Sequence, residues 1–197
     1  MNQHRSDSAR DRILLVARKE FARHGYQGAS VRSITTKAKV NLGAITYHFH
    51  TKEQLYVAVL QSLVGALADR VHLATLADAL PLEKIERMVR AIFDHIRLHP
   101  DMPAIMMREL AGGGELAGPV RATFGKLLPL LAGIIAEGQK SGDIRPGDPV
   151  LLALSTVAQP VYLNLARPVI SKVAGIDPRD ERVIEHAVAM VRSALRP

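Results

Sequence analysis

The sequence predicts an all-α chain: an N-terminal three-helix domain built around a helix-turn-helix, residues 1–53, and a larger helical domain, residues 54–197, with about nine helices in all. Three observations lead there. Ala and Leu abound, while β-branched residues alternating with polar ones are few. Apolar residues recur at helical spacing between clear start and stop signals. Aromatics make up only 4% of the chain and Trp is absent, so a core drawn from the 48% apolar residues must be mainly Leu, Ile, Val, Ala and Met.

Each element has its own signals. Ser8 is placed to cap a first helix, with Asp11 favouring its positive end. Ile13, Val16, Ala17 and Phe21 form its apolar stripe, and Gly25 stops it. Ser30 caps a short second helix carrying Val31, Ile34 and Ala38. Lys39-Val40-Asn41 makes a tight connection, and Asn41 caps a third short helix from about Leu42 to His48. Thr51-Lys52-Glu53-Gln54 reads as a capping box opening a long helix over 52–75.

Farther on the polar density drops. Pro81 starts a helix that Pro100 ends near His99, and another covers 102–111. Gly112-Gly113-Gly114 reads as a flexible break. A helix over 118–140 closes at Ser141-Gly142, and Pro149 opens an apolar one to about residue 173 with a kink at Pro160. Asp177 caps the last helix, with Pro178 at its first position.

Composition narrows the function. The absence of Cys excludes disulfides, thiolate metal sites and a Cys nucleophile, and fits a cytoplasmic setting. Residues 1–12 are polar and charged, so no secretory signal is expected. The most apolar run, 150–170, contains Gln159, Asn164, Arg167 and two prolines, which reads as a buried helix rather than a membrane span. No nucleophile elbow, phosphate loop or metal-ligand cluster appears, so neither an enzyme nor a cofactor is expected. His95 and His99 are spaced as metal ligands can be, without an obvious third, and no metal is expected.

The formal charge is +7, and most of the excess is local. Residues 1–53 hold ten Lys and Arg against four Asp and Glu; residues 54–197 hold sixteen against fifteen. A concentrated basic segment attracts polyanions by releasing their counterions, though a solvated basic face would look the same.

Two short helices behind a supporting one make a unit whose second short helix enters the DNA major groove. Ile45 and Phe49 share one face and point inward with Val40 and Leu55, leaving Gly43, Ala44, Thr46, Tyr47 and His48 for other faces. Gly43 and Ala44 let the backbone lie close to base edges, and Thr46 can read them. Tyr47, His48 and Lys52 have the reach for phosphates, and Ser30 and Arg32 can clamp the backbone from the second helix. Lys39, Asn41 and Leu42 in the turn complete the candidate DNA-binding set. A half-buried core role for Tyr47 and plain solvation of His48 and Thr46 are the competing readings.

Residues 12–58 resemble the DNA-binding domain of the tetracycline-repressor (TetR) family of bacterial regulators. The resemblance rests on Ile13, Ala17, Phe21, Gly25, Val31, Ile34, Ala38, Gly43, Ile45, Tyr47, Phe49, Lys52 and Leu55, above all on Tyr47-His48-Phe49 followed by Lys52-Glu53. It implies phosphate contacts from Tyr47 and Lys52 and base reading by residues 42–46. The turn usually carries Gly where this chain has Lys39, and a left-handed Lys costs on the order of 1 kcal/mol. Ala44-Ile45-Thr46-Tyr47-His48-Phe49, with Arg108-Glu109-Leu110, is also similar to a CecR-like subgroup.

The resemblance further implies that the helices beyond about residue 60 bind a small-molecule effector and form a homodimer. Phe93, Met102, Met106, Met107, Arg108 and Tyr162 are the candidate effector residues, the methionines supplying an adaptable surface or plain core. Ile184, Ala187, Val188, Val191 and Leu195 make one stripe of the last helix, read either as a dimer interface or as packing onto the chain's own core. The expected function is a dimeric repressor that binds a palindromic double-stranded operator and leaves it when an effector binds. A ligand-independent or partner-controlled regulator, or an activator, is the alternative.

Overall fold

Ile13, Ala17 and Phe21 line one side of α1 (Gln3–Gly28) and are almost fully buried, as their spacing demands. The computed structural model describes residues 3–76, 78–112 and 117–197, and of residues 3–8 the backbone alone. The described residues form ten helices and no strand.

α1 begins at Gln3, so Ser8 lies inside it and is not the cap expected; Gln and Arg ahead of Ser8 are good helix formers and carry the helix back. Gly25 leaves helical geometry at φ 70 and ψ 176, and one more turn runs to Gly28. α2 (Val31–Ala38) is capped by Ser30, whose Oγ accepts from Ser33 N at 3.0 Å. It ends with Lys39 in the left-handed region (φ 55, ψ 49), Lys39 N donating to Thr36 O and Val40 N to Thr35 O. Lys39 thus takes the left-handed conformation that a glycine there would take, and the turn is a left-handed cap built on a lysine.

In α3 (Gly43–Phe49), Ile45 and Phe49 are buried, and Asn41 Oδ1 accepts from Ala44 N at 2.9 Å, holding the start of the helix. His50 (φ 61, ψ −53) then turns the chain so tightly that Phe49 O accepts from Thr51 N at 2.6 Å. Thr51 Oγ1 in turn accepts from Gln54 N at 3.1 Å and opens α4 (Lys52–Leu76). α1 packs on α2 and α3, and these pack on each other.

Packing divides the chain into two units, Met1–Val64 with Ala104–Val120, and Gly65–Pro103 with Arg121–Pro197. The division falls beyond residue 53 because α4 carries Leu55, Val59, Leu60 and Leu63, all buried, before it is reached. Most of α6 (Met102–Ala111) belongs to the first unit. Of the expected glycine break after it, Gly112 is a turn residue and Gly113 and Gly114 lie outside the described residues.

The second unit has one apolar core. α5 (Pro81–Leu98) contributes Ile85, Met88, Val89, Ile92, Phe93 and Ile96, and α7 (Gly118–Ser141) contributes Leu131, Ile134 and Ile135. α7 and α4 are long and apolar enough to cross a bilayer by length and composition. The helix expected over 149–173 is two helices, α8 (Pro149–Leu165) and α9 (Arg167–Ala174), bent by 67°. Its break is at Ala166, not Pro160: Pro168 has no N–H to continue the ladder, whereas Pro160 stays inside α8.

α10 (Glu181–Leu195) starts after Asp180, so Asp177 and Pro178 do not open it. The Asp177 carboxylate is held instead by the guanidinium groups of Arg167 and Arg179, at 3.0 and 2.7 Å, which tie the loop to the start of α9. The α10 stripe of Ile184, Ala187, Val188, Val191 and Leu195 is buried in this unit's own core. Within the chain these five residues pack against α5 and α8 and are almost fully covered.

Candidate nucleic-acid interface

Burying Ile45 and Phe49 turns the rest of α3 outward. Tyr47 is 75% exposed, which removes the half-buried alternative for it. Thr46, Gly43, Leu42, Asn41 and Lys39 are exposed, while Ala44 and His48 are partly covered. The His48 ring meets Tyr47 edge-on at 4.8 Å, so the two side chains brace one another. A Cβ added at Gly43 would meet nothing nearer than Asn41 Oδ1 at 3.6 Å. Nothing within the chain demands glycine there; a close approach from outside would.

Ser30 and Arg32 are exposed at the start of α2. The Ser30 hydroxyl already accepts the capping bond, which leaves its O–H to donate outward. Lys52 is fixed more firmly than its sequence context suggests. Its Nζ lies 4.7 Å from the centroid of the Tyr26 ring and donates to Gln27 O at 3.4 Å. Arg10 lies over the Phe49 ring at 5.4 Å, on the far end of α3. Sequence reasoning missed Tyr26 and Arg10, since neither falls in the recognisable turn. Tyr26 had one signal, a large aromatic directly after the helix-stopping Gly25.

Between α1 and α2, buried Glu20 accepts from Lys37 Nζ and from Ser33 Oγ, each at 2.6 Å. These bonds hold its carboxyl below the ordinary range, the Lys37 bond first. On the other side of α1, Tyr56 donates to Glu109 Oε1 at 2.6 Å, and burial followed by that bond pushes the phenol well above its usual value. Arg108 Nη2 donates to Arg23 O at 3.2 Å, and its Nη1 would lie 2.8 Å from a Cβ at Gly25.

Of the candidate effector residues, Phe93 and Met102 are buried and belong to the second unit, and Met106, Met107 and Arg108 belong to the first, Met106 being buried and Met107 exposed. Arg108 donates to the Arg23 carbonyl, and Tyr162 is 65% exposed on α8. A cleft of about 450 Å³ in the second unit is lined by Leu80, Glu83, Glu86, Asp143, Arg192 and Arg196, none of them in the expected set. Arg192 and Glu86 pair within it through two bonds of 2.5 Å. His95 is fully buried with its ring 4.5 Å from that of His99, and no group of three possible metal ligands forms among the described residues.

Known proteins share this arrangement. The family described as bacterial regulatory proteins, tetR family, matches residues 13–59, and the tetracyclin repressor-like C-terminal domain matches residues 81–195. The transcriptional repressor NicS of Pseudomonas putida is 29% identical over 181 residues, covering 90% of this chain and 85% of its own. The transcriptional regulator RutR of Escherichia coli is 27% identical over 198 residues, covering 94% and 89%. Among solved structures, the fatty acid degradation regulator FadR of Bacillus halodurans superposes with a TM-score of 0.78 at 21% identity, covering 95% of this chain and 96% of that one. The two matched segments account for both the outward-facing α3 and the helical remainder, and the chain belongs to the TetR family of bacterial transcription regulators.

Proposed function

We propose that this chain is a dimeric, ligand-responsive repressor that reads a palindromic operator with α3 and is released by a small molecule. The observation that carries the DNA part is the outward face of α3: Gly43 that the fold does not require, beside exposed Thr46 and Tyr47. Leu42 and Ala44 extend the base-reading surface, Tyr47, His48, Lys52, Ser30 and Arg32 hold phosphates, and Lys39 and Asn41 add a positive charge and a polar side chain in the turn. NicS is named a repressor, which supports repression over activation. A cytoplasmic location follows from the same reading, and the CecR-like subgroup remains part of the proposal.

Dimerisation is supported by what α8 and α10 leave uncovered. The two helices pack together, and Leu151, Leu154 and Tyr162 of α8 and Met190 of α10 stay exposed. Two copies joined on these faces would bury them in a four-helix contact and set two reading helices one DNA turn apart. The effector would enter the apolar second unit around Phe93 and Met102, which suits an apolar or amphipathic molecule. The close burial of Phe93 and Met102 also favours the second reading, a regulator controlled without a ligand.

The test is selection of bound duplex from a random pool with wild-type protein and a Tyr47→Phe, Lys52→Ala control. A palindrome enriched by the wild type and weakened in the control is expected. No enrichment by folded protein would sink the operator reading. A recovered operator that no apolar ligand panel displaces would leave the ligand-independent regulator.

A further inference from the structure

The ammonium group of Lys52, a proposed phosphate contact, is held by the Tyr26 ring and the Gln27 carbonyl. The Tyr26 ring that supports it lies 5.1 Å from the Tyr56 ring, tilted by 48°. Tyr56 meets buried Phe21 edge-on at 4.9 Å, and its hydroxyl donates to Glu109 Oε1 at 2.6 Å. Glu109 Oε2 accepts from Ala117 N at 3.4 Å, so the carboxylate is anchored on its other oxygen. All of these residues belong to the first unit.

We propose that Glu109 is a positioning residue for DNA-backbone binding: through Tyr56 and Tyr26 it holds the Lys52 ammonium where a phosphate will meet it. The inference rests on the reading that Lys52 contacts DNA phosphate. The physical reason is rotamer freedom. A lysine carries its charge on a flexible four-carbon stem, and much of a phosphate contact is lost in ordering it. A ring face 4.7 Å away and the Gln27 carbonyl order the stem in advance, and two of the three ammonium hydrogens remain for phosphate. Tyr26 can offer that face only while Tyr56 backs it. Tyr56 is pinned at its hydroxyl by Glu109, 53 residues away in the chain.

Mere packing would affect folding, whereas positioning would be read through Lys52 alone. The experiment measures binding of a fluorescent mixed-sequence duplex at low salt, because a phosphate contact needs no particular sequence. Glu109→Ala, Glu109→Gln and Tyr26→Leu are each made in the wild type and in Lys52→Ala. Glu109→Ala and Tyr26→Leu are expected to weaken binding by about two- to fivefold in the wild type, the worth of an exposed cation–π contact. Neither should weaken it further in Lys52→Ala, and Glu109→Gln, which keeps the acceptor for Tyr56, should bind as wild type. Equal weakening in both backgrounds, or none in either, overturns the proposal while leaving Lys52 as a phosphate contact. If Lys52→Ala itself changes neither affinity nor salt dependence, the phosphate reading falls and the proposal with it. Should Glu109→Ala fail to fold, Tyr56→Phe, which removes only the hydroxyl that Glu109 holds, decides the matter in the same two backgrounds.

Discussion

Glu20 accepts a hydrogen bond from Lys37 at 2.6 Å, which joins the buried side of α1 to the last turn of α2. A charged pair here ties the supporting helix to the helix that carries the turn. Removing one partner would leave the other poorly matched, which is costly for a buried carboxylate.

Acid should therefore loosen this protein. Glu20 is lowered by its bonds to Lys37 and Ser33, and Asp177 by those to Arg179 and then Arg167. A carboxyl lowered in the folded chain contributes its full stability above the unfolded value, about 4, and loses it as pH falls through the lowered folded value. Melting temperature should drop on acidification below about pH 5. Glu20→Gln with Asp177→Asn should melt lower at neutral pH and show a flatter acid limb. A double variant with the wild-type slope would assign the acid sensitivity to other groups.

Thr46 and Lys52 should fail in different ways. Thr46→Val should change which base is preferred at one operator position, by about 1–3 kcal/mol. Lys52→Ala should weaken all sequences alike and lower the salt slope by about 1. Fluorescence anisotropy across a salt series on two operator variants separates them; matching profiles would remove the division between base reading and phosphate contact.

Gly43→Ala should leave the unfolding free energy within about 0.5 kcal/mol of wild type, since its new methyl has room, and should still impair operator binding. Unimpaired binding would show that DNA does not approach the backbone there.

Lys39→Gly should relieve the left-handed lysine (φ 55) and raise stability by about 1 kcal/mol. For a chain of this size that is a melting shift of roughly 2–4 °C. Binding at low salt should weaken as the charge is lost, and a melting temperature that falls would mean the lysine stem packs usefully in the turn.

On α8 and α10, Leu154→Arg with Met190→Glu should give a folded monomer by analytical ultracentrifugation, because both side chains are exposed. Val188→Glu should unfold the second unit instead, since Val188 is buried in its core. A dimer that survives the first pair would place the contact on another face.

Most of the outward face of α3 and of the turn before it was legible because its signals are local. Thr51 and Ser30 are caps that bond three residues onward, and Ile45 with Phe49 fixes which side of α3 turns inward. Ser8 and Asp177 show the limit of such signals. Each is a good cap by type, yet one helix extends past Ser8 and the other begins after Asp180.

What the sequence by itself determined is the helical class, the helix-turn-helix and the outward set on α3, since a periodic apolar stripe and its caps act within a few residues. Which partner covers a stripe was decided only by the tertiary structure. The α10 stripe could have met a second copy, but α5 and α8 reach it first. Arg108 and Glu109 find Arg23 and Tyr56, distant in the chain, which accept from and donate to them. Periodicity states that a face must be covered; only the packing of remote segments states by what.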